Sequence, residues 1–402
     1  MSYPDWPCRG RGSTATISAL LVGALIALSA CTAARVGGPD QVAIGNAPVT
    51  GEVLGTGPVK VALLLPLSAT GNAGEIAQNL RNASELAIRE FQTPAIQVLV
   101  KDDRGTPEGA RAATTEAIQQ GAKLILGPLF ARSVTAAAAI AKPANVPIVA
   151  FSTDTSTASP GVYLLSFLPQ TDVQRIVTYA ASKGKSSYAA LLPADAYGTV
   201  VEAALQQVVA NTWGRIIALE RYQLDRTAMQ EKATIVANVA KSGAVSAVFL
   251  PDAGDTAPFL GQILGANGVS PAQVQYLGSG QWVDSRIAQE SNLNGAWYPA
   301  PDQAGFLGFS RRYQAAFGSA PFRAATLAYD ATSLASGLAA RFGERRYSAE
   351  VLTSPAGFIG IDGAFRLLPN GLNERGLAIY QIDRGQVTII DPAPKTFTKA
   401  GL

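Results

Sequence analysis

Short loops rich in serine, threonine and glycine recur in the first third of this chain, each directly after an apolar run. They are residues 66–74 (PLSATGNAG), 102–106, 127–133 (GPLFARS) and 152–157 (STDTST). Such loops offer hydroxyls and free backbone N–H groups. A helix starting near Ser133 would add the positive end of its dipole. Together these groups suit a carboxylate or another small anion without a fixed cationic side chain. Ser68, Phe130, Ser133, Ser152, Thr153 and Asp154 are therefore candidate ligand contacts. Serine, threonine and glycine also cap helices, so each loop taken alone reads more readily as a cap than as a site. Four of them on one expected edge make a site. Tyr197 and Trp282 fall at a helix start and in a loop, as core edges or as walls that a ligand stacks on.

Other chemistry is excluded at the level of composition. The 402 residues include no histidine, so neither a Ser-His-Asp nor a Cys-His nucleophile nor a His-ligated zinc can form. No Gly-x-Gly-x-x-Gly, Walker loop or Cys cluster is present, and neither a cofactor nor a metal is expected. Ser182-Lys183-Gly184-Lys185 matches Ser-x-x-Lys in form but lacks a Lys-Thr-Gly partner and ends a helical pattern. Asp102-Asp103 reads as paired acids or as a solvated loop. A net charge of +3 is no footprint for nucleic acid. These features favour binding over catalysis.

The elements that must hold such loops alternate between strand and helix. Residues 59–65 (VKVALLL) form a doubly buried strand. Ile76, Leu80, Ala83, Ala87 and Phe91 then make one helical stripe. Thr106-Pro107-Glu108 opens the next helix with a cap, an N1 proline and an acid in order. After residue 169 the rhythm restarts, with strands expected at 188–192, 216–222, 247–250 and 275–277. Two long helical patterns follow at about 304–317 and 324–342, then short strands from 358 to 390. Repeated βα units imply parallel sheets with helices on both faces, and ligands bind outside the carboxyl ends of such strands. The expected fold is α/β, with two doubly wound lobes. Lobe 1 is placed at about 58–168 plus 298–345 and lobe 2 at about 169–297 plus 346–392, with 393–402 as a tail.

The N-terminus is an address. Arg9 and Arg11 precede the apolar run 17–30, which is too short to span a membrane comfortably. Leu28-Ser29-Ala30-Cys31 resembles the bacterial lipobox, which implies cleavage of residues 1–30 and lipidation of Cys31. Cys8 is then lost, so no intramolecular disulfide remains. Residues 31–57 are rich in Gly, Pro, Ala and Thr and read as a tether of roughly 25–30 Å reach. The expected location is the periplasm, anchored to a bacterial membrane.

Read in order, VALLLPLSATGNAG, VKDDRGTPEGARAA, LILGPLFARSVTAAAAIAKPANVPIVAFSTD, PADAYGTVVEAAL and LAYDATSLA resemble the type I periplasmic binding proteins of the leucine/isoleucine/valine-binding group. That resemblance spans about 58–392. It implies two lobes joined by three crossings, closing on a small polar ligand such as an amino acid for an ABC-type permease. It also implies that the loops holding Ser133 and Ser152–Ser156 bind a carboxylate and that Tyr197 walls the pocket. One ammonium-binding acid of the family falls near 278–281, where this chain has Gly-Ser-Gly-Gln. Asp252 or Asp154 is expected to substitute, beside Gln281. Phe130 and Arg132 make their loop bulkier than in amino-acid binders. Several segments, with the lipobox, are also similar to lipoprotein activators of penicillin-binding proteins, whose partner would be a peptidoglycan synthase.

Overall fold

The computed structural model describes residues 45, 47–91 and 93–397. The expected signal peptide, Cys8 and Cys31 lie outside the described residues. The first lobe begins with β1 (Val53–Leu54), β2 (Val59–Leu65), α1 (Asn72–Glu90), β3 (Ile96–Asp102), α2 (Pro107–Gln119), β4 (Ile125–Leu126), α3 (Ala131–Ala141), β5 (Ile148–Ala150) and β6 (Val162–Leu164). The chain then crosses to the second lobe. There it forms α4 (Pro169–Ser182), β7 (Ser187–Pro193), α5 (Ala196–Asn211), β8 (Arg215–Tyr222), α6 (Arg226–Lys241), β9 (Ala247–Phe249), α7 (Thr256–Ala266), β10 (Gln275–Leu277), α8 (Ser285–Gln289) and β11 (Trp297–Ala300). It returns to the first lobe for α9 (Gln303–Phe317), α10 (Ala325–Phe342), α11 (Ala349–Leu352), β12 (Phe358–Gly360), β13 (Gly363–Leu367) and β14 (Asn373–Arg375). A last crossing leads to β15 (Ala378–Asp383) and β16 (Gln386–Asp391) of the second lobe.

Each lobe is a sheet covered on both faces. In the first, the order is β1-β3-β2-β4-β5-β6, parallel except for β1. The period-two alternation of β2 sorts its side chains. Val61, Leu63 and Leu65 pack under α1 and α10, whereas Ala62 and Leu64 face α2 and α3. In the second lobe the order is β16-β15-β11-β10-β9-β7-β8, with β15 and β16 added antiparallel at one edge. Ala189 and Leu191 face α6 and α7, and Tyr188, Ala190 and Leu192 face α4 and α5.

The tail departs from the expected lobe limits. Residues 346–375 were expected in the second lobe, yet Tyr347, Val351, Leu352, Phe365 and Leu367 are buried in the first lobe's core. The reason is local. β12, β13 and β14 form an antiparallel meander whose apolar side closes that core, and only the alternating run in β15 finds a sheet edge in the other lobe. At the other limit, Tyr298 to Ala300 still pair with β15 in the second lobe.

The crossings are tied to one another. Asn373 Nδ2 donates to the carbonyls of Leu164 (2.8 Å) and Ser166 (2.9 Å), and Arg375 Nε donates to that of Ser166 (3.1 Å). The Tyr380 hydroxyl donates to Pro301 O at 3.2 Å. No described helix is long and apolar enough to cross a membrane.

Candidate functional site

A cavity of about 610 Å³ lies between the lobes against the crossings. Thr153, Phe306 and Arg323 line it from the first lobe and Asp172, Tyr197 and Gln281 from the second. Phe167 and Arg375 line it from the crossing segments.

Tyr197 owes its place to the start of α5. Asp195 caps that helix, its carboxylate accepting from Gly198 N at 2.8 Å. A Cβ on residue 198 would lie 1.8 Å from the Pro193 carbonyl oxygen, so only glycine lets α5 leave β7 this closely. The Tyr197 hydroxyl then lies within donating distance of Pro251 O (3.2 Å) and Ser279 Oγ (3.3 Å). Burial pushes its pKa up to about 12, so it stays a neutral donor.

Asp172 stands in the first turn of α4 behind the N1 proline, Pro169. Its Oδ2 accepts from Gly280 N at 3.0 Å. A Cβ on residue 280 would approach that oxygen to 2.7 Å, which explains a glycine there. Burial raises the Asp172 pKa to about 7, against the opposing pull of the Gly280 N–H. Segment 278–281 holds no carboxylate of its own, and the one that meets it, Asp172, comes from a helix more than a hundred residues upstream. The two expected substitutes are engaged elsewhere. Asp252 accepts from the Tyr222 hydroxyl at 2.9 Å and from Ala253 N at 2.8 Å. Asp154 caps a single 3₁₀ turn, accepting from Ser156 N (3.0 Å) and Ser156 Oγ (2.7 Å).

One wall of the cavity alternates arginine and phenylalanine. The Arg323 guanidinium carbon lies 4.5 Å from the Phe306 ring centre and 5.9 Å from that of Phe167. The Arg375 guanidinium carbon also lies 4.5 Å from the Phe167 ring centre, and it is 5.7 Å from that of Phe365. Arg323 is spent on partners, Gln303 Oε1 at 2.8 Å and the buried Asp362. Arg375 is only 6% exposed, and both its Nη atoms lack a hydrogen-bond partner. Burial lowers its pKa, opposed by the fields of Asp362 and Asp330. Asp330 is itself raised to about 7 by burial, the donating Ile361 N–H (2.8 Å) working against that shift.

Of the residues expected from sequence, Thr153, Tyr197 and Gln281 face this cavity. The others do not. Ser133 is fully buried, two residues inside α3, with Oγ 3.5 Å from Thr106 O. Helix α3 starts at Ala131 behind Phe130, so the expected serine at its terminus is a packing residue. Ser152 is buried and its Oγ accepts from Asp154 N at 3.1 Å. Ser68 is exposed, its backbone N donating to Asp102 Oδ1 at 3.3 Å. Phe130 is 38% exposed and packs where a side chain on Gly105 would lie. Trp282 is 1% exposed inside the second lobe's core, its Nε1 donating to Asp252 O at 3.0 Å. For these loop residues the capping role accounts for the hydroxyls. Asp103 is buried rather than solvated, accepting from Gly105 N at 2.8 Å, and burial raises it to about 6. Asp172, Arg375, Arg323, Phe167 and Phe306 were not anticipated from sequence. Among the described residues no cluster of three or more His, Cys, Asp or Glu could hold a metal ion.

No curated protein matches the chain. Solved structures do. One is an ABC transporter protein from Rhodospirillum rubrum assigned to branched-chain amino acids, 17% identical, with a TM-score of 0.71 over 83% of this chain and 99% of that one. An ABC transporter substrate-binding protein from Sphaerobacter thermophilus is 20% identical, with a TM-score of 0.63 over 84% and 98%. A solute-binding protein from R. palustris in complex with benzoate is 18% identical, with a TM-score of 0.55 over 86% and 98%. At these identities the likeness is one of fold. A family profile described as periplasmic binding protein matches residues 58–386. With two lobes, three tied crossings and a cavity between the lobes, the chain belongs to the periplasmic binding protein family.

Proposed function

We propose that this protein captures a small polar solute, an amino acid or a similar compound, between its lobes and presents it to an ABC-type permease. The observation that carries the reading is the cavity of about 610 Å³ with walls from both lobes and the crossings. That volume suits a small organic ligand, and a ligand touching both lobes favours the closed arrangement of the two. Asp172 and the Tyr197 hydroxyl offer polar contacts, while Phe167, Phe306, Val283 and Leu377 offer an apolar bed. Similar folds bind benzoate and leucine, which is the size range this space admits. The role is binding without turnover. Export with a lipid on Cys31 completes the reading. Replacing Cys31 with serine should then release the protein from the membrane fraction.

Thermal melting against a metabolite library tests the reading. A true ligand at a hundredfold excess over its Kd adds about 2.7 kcal/mol to stability. Melting curves unmoved by every compound would refute it.

A further inference from the structure

We infer that the chain after β16 straps the second lobe back onto the first and holds the empty protein near one arrangement of its lobes. The path of residues 392–397 shows how. They leave the second lobe's edge strand where Asp391 pairs with Arg175 of α4. Ala393 still packs against the second lobe's core. Pro394 then passes over the last crossing, so closely that a Cβ on Gly376 would lie 2.7 Å from its carbonyl oxygen. Phe397 comes to rest on the first lobe's meander. Its ring lies under the Arg366 guanidinium, 4.8 Å from the guanidinium carbon to the ring centre. A Cβ on Gly357 would approach the same ring to 2.9 Å. Arg366 is itself held, its Nε donating to Glu374 at 2.6 Å and its Nη1 to Pro355 O at 3.2 Å. Two glycines thus leave room for the strap, one at the crossing and one at its far anchor.

The span is short and stiff. Four residues from Ala393 to Phe397 reach at most about 14 Å, and Pro392 and Pro394 each fix one φ along the way. Pro392, Pro394, Lys395 and Thr396 are exposed, so the stretch adds little core of its own. Its anchors lie on different lobes. The three crossings let the lobes rotate, whereas the strap admits only rotations that keep both anchors within its reach. The Phe397 ring also lines a groove of about 830 Å³, whose other wall includes Thr171 and Gln174 of α4 and Val200 and Ala203 of α5. Rotation of the lobes changes the width of that groove, so the far anchor stands where the motion is felt. Confining the empty protein lowers the ordering that capture of any ligand must bring about.

The test needs no ligand. In the full chain with Cys8 and Cys31 replaced by serine, spin labels go on Glu108→Cys and Gln223→Cys. Both positions are exposed, one after β3 in the first lobe and one after β8 in the second. A second pair, Glu108→Cys with Lys123→Cys, reports on the first lobe alone. Double electron–electron resonance reads each distance distribution. F397A removes the anchor and should lower the population of the strapped arrangement roughly 3- to 30-fold relative to freed ones. The inter-lobe distribution should broaden while the pair within the first lobe stays as in the wild type. P392G combined with P394G keeps the Phe397 ring and loosens only the span, and it should broaden the inter-lobe distribution as well. An inter-lobe width equal to the wild type in either variant would overturn the inference. So would broadening of the pair within the first lobe in F397A, since Phe397 would then be a prop of that lobe's core.

Discussion

Asp172→Asn should stabilise this protein, and only above mildly acidic pH. In the folded state Asp172 holds its proton to about pH 7 because burial disfavours the charge. In the unfolded chain it ionises near its ordinary value of about 3.9. The sign follows from linkage. Between those values the folded state binds more protons than the unfolded one, so the contribution of this group to stability is full below about pH 4. It is lost progressively up to pH 7 and constant thereafter. Three pH units at about 1.36 kcal/mol each set a ceiling of about 4 kcal/mol. Because the carboxyl borders a cavity that admits water, about 2–4 kcal/mol is the working range. Asparagine keeps the shape and can still accept from Gly280 N through its amide oxygen, so it removes the ionisation and little else. For a domain of this size roughly 0.7 kcal/mol corresponds to a degree, giving about 3–6 °C. Differential scanning calorimetry of wild type and variant at pH 4 and pH 8 measures it. The variant should match the wild type at pH 4 and melt higher at pH 8. Equal shifts at both pH values, or a loss at pH 8, would refute the burial of an ionisable Asp172. The other raised acids, Asp103 and Asp330, cancel in the comparison.

Two further substitutions probe the scaffold around the cavity. Gly198→Ala places a Cβ 1.8 Å from the Pro193 carbonyl oxygen, a backbone atom that cannot swing aside. It should cost at least about 2 kcal/mol, read as a lower urea midpoint; an unchanged midpoint would mean that the turn into α5 is looser than described. Trp282→Phe leaves the Asp252 carbonyl without its indole donor and a gap in the second lobe's core, costing about 1–3 kcal/mol. Ligand affinity should change less than threefold. A tenfold loss of affinity at unchanged stability would return Trp282 to the ligand surface.

The fold was legible where a local rule acted alone. The run VKVALLL can hardly be anything but a buried strand, and Thr106-Pro107-Glu108 opened α2 with Thr106 Oγ1 accepting from Gly109 N. Asp195 likewise capped α5 and set Tyr197 at the cavity. The site was less legible, for a physical reason. Its walls come from separate passes of the chain, each locally ordinary. Asp172 follows Pro169 in a first turn, where acids are common in any helix. Arg375 ends a three-residue strand of a meander that alternation alone could not assign to a lobe. The hydroxyl loops misled because a cap and an anion site demand the same residues, and here the turns claim them first.

The unexpected residues share a property that sequence cannot display, which is an unfavourable energy. A fold selected for stability alone would replace half-buried Asp172 and buried Arg375 by apolar groups of similar shape, since incompletely paired ionisable groups in the interior cost more than they return. Both instead line the cavity bounded by the two lobes and their crossings. Asp172 belongs to the second lobe, and Arg375 ends the strand that leads from the first lobe into the last crossing. A ligand with a donor that reaches Asp172 would offset the cost of that group, but only while it touches both walls. The penalty in the empty state then becomes part of the free energy favouring closure on the correct ligand. A compound without such a donor would leave Asp172 unpaired and gain correspondingly less. The stabilisation gained by Asp172→Asn and any ligand affinity lost with it would then have one origin, the Asp172 carboxyl.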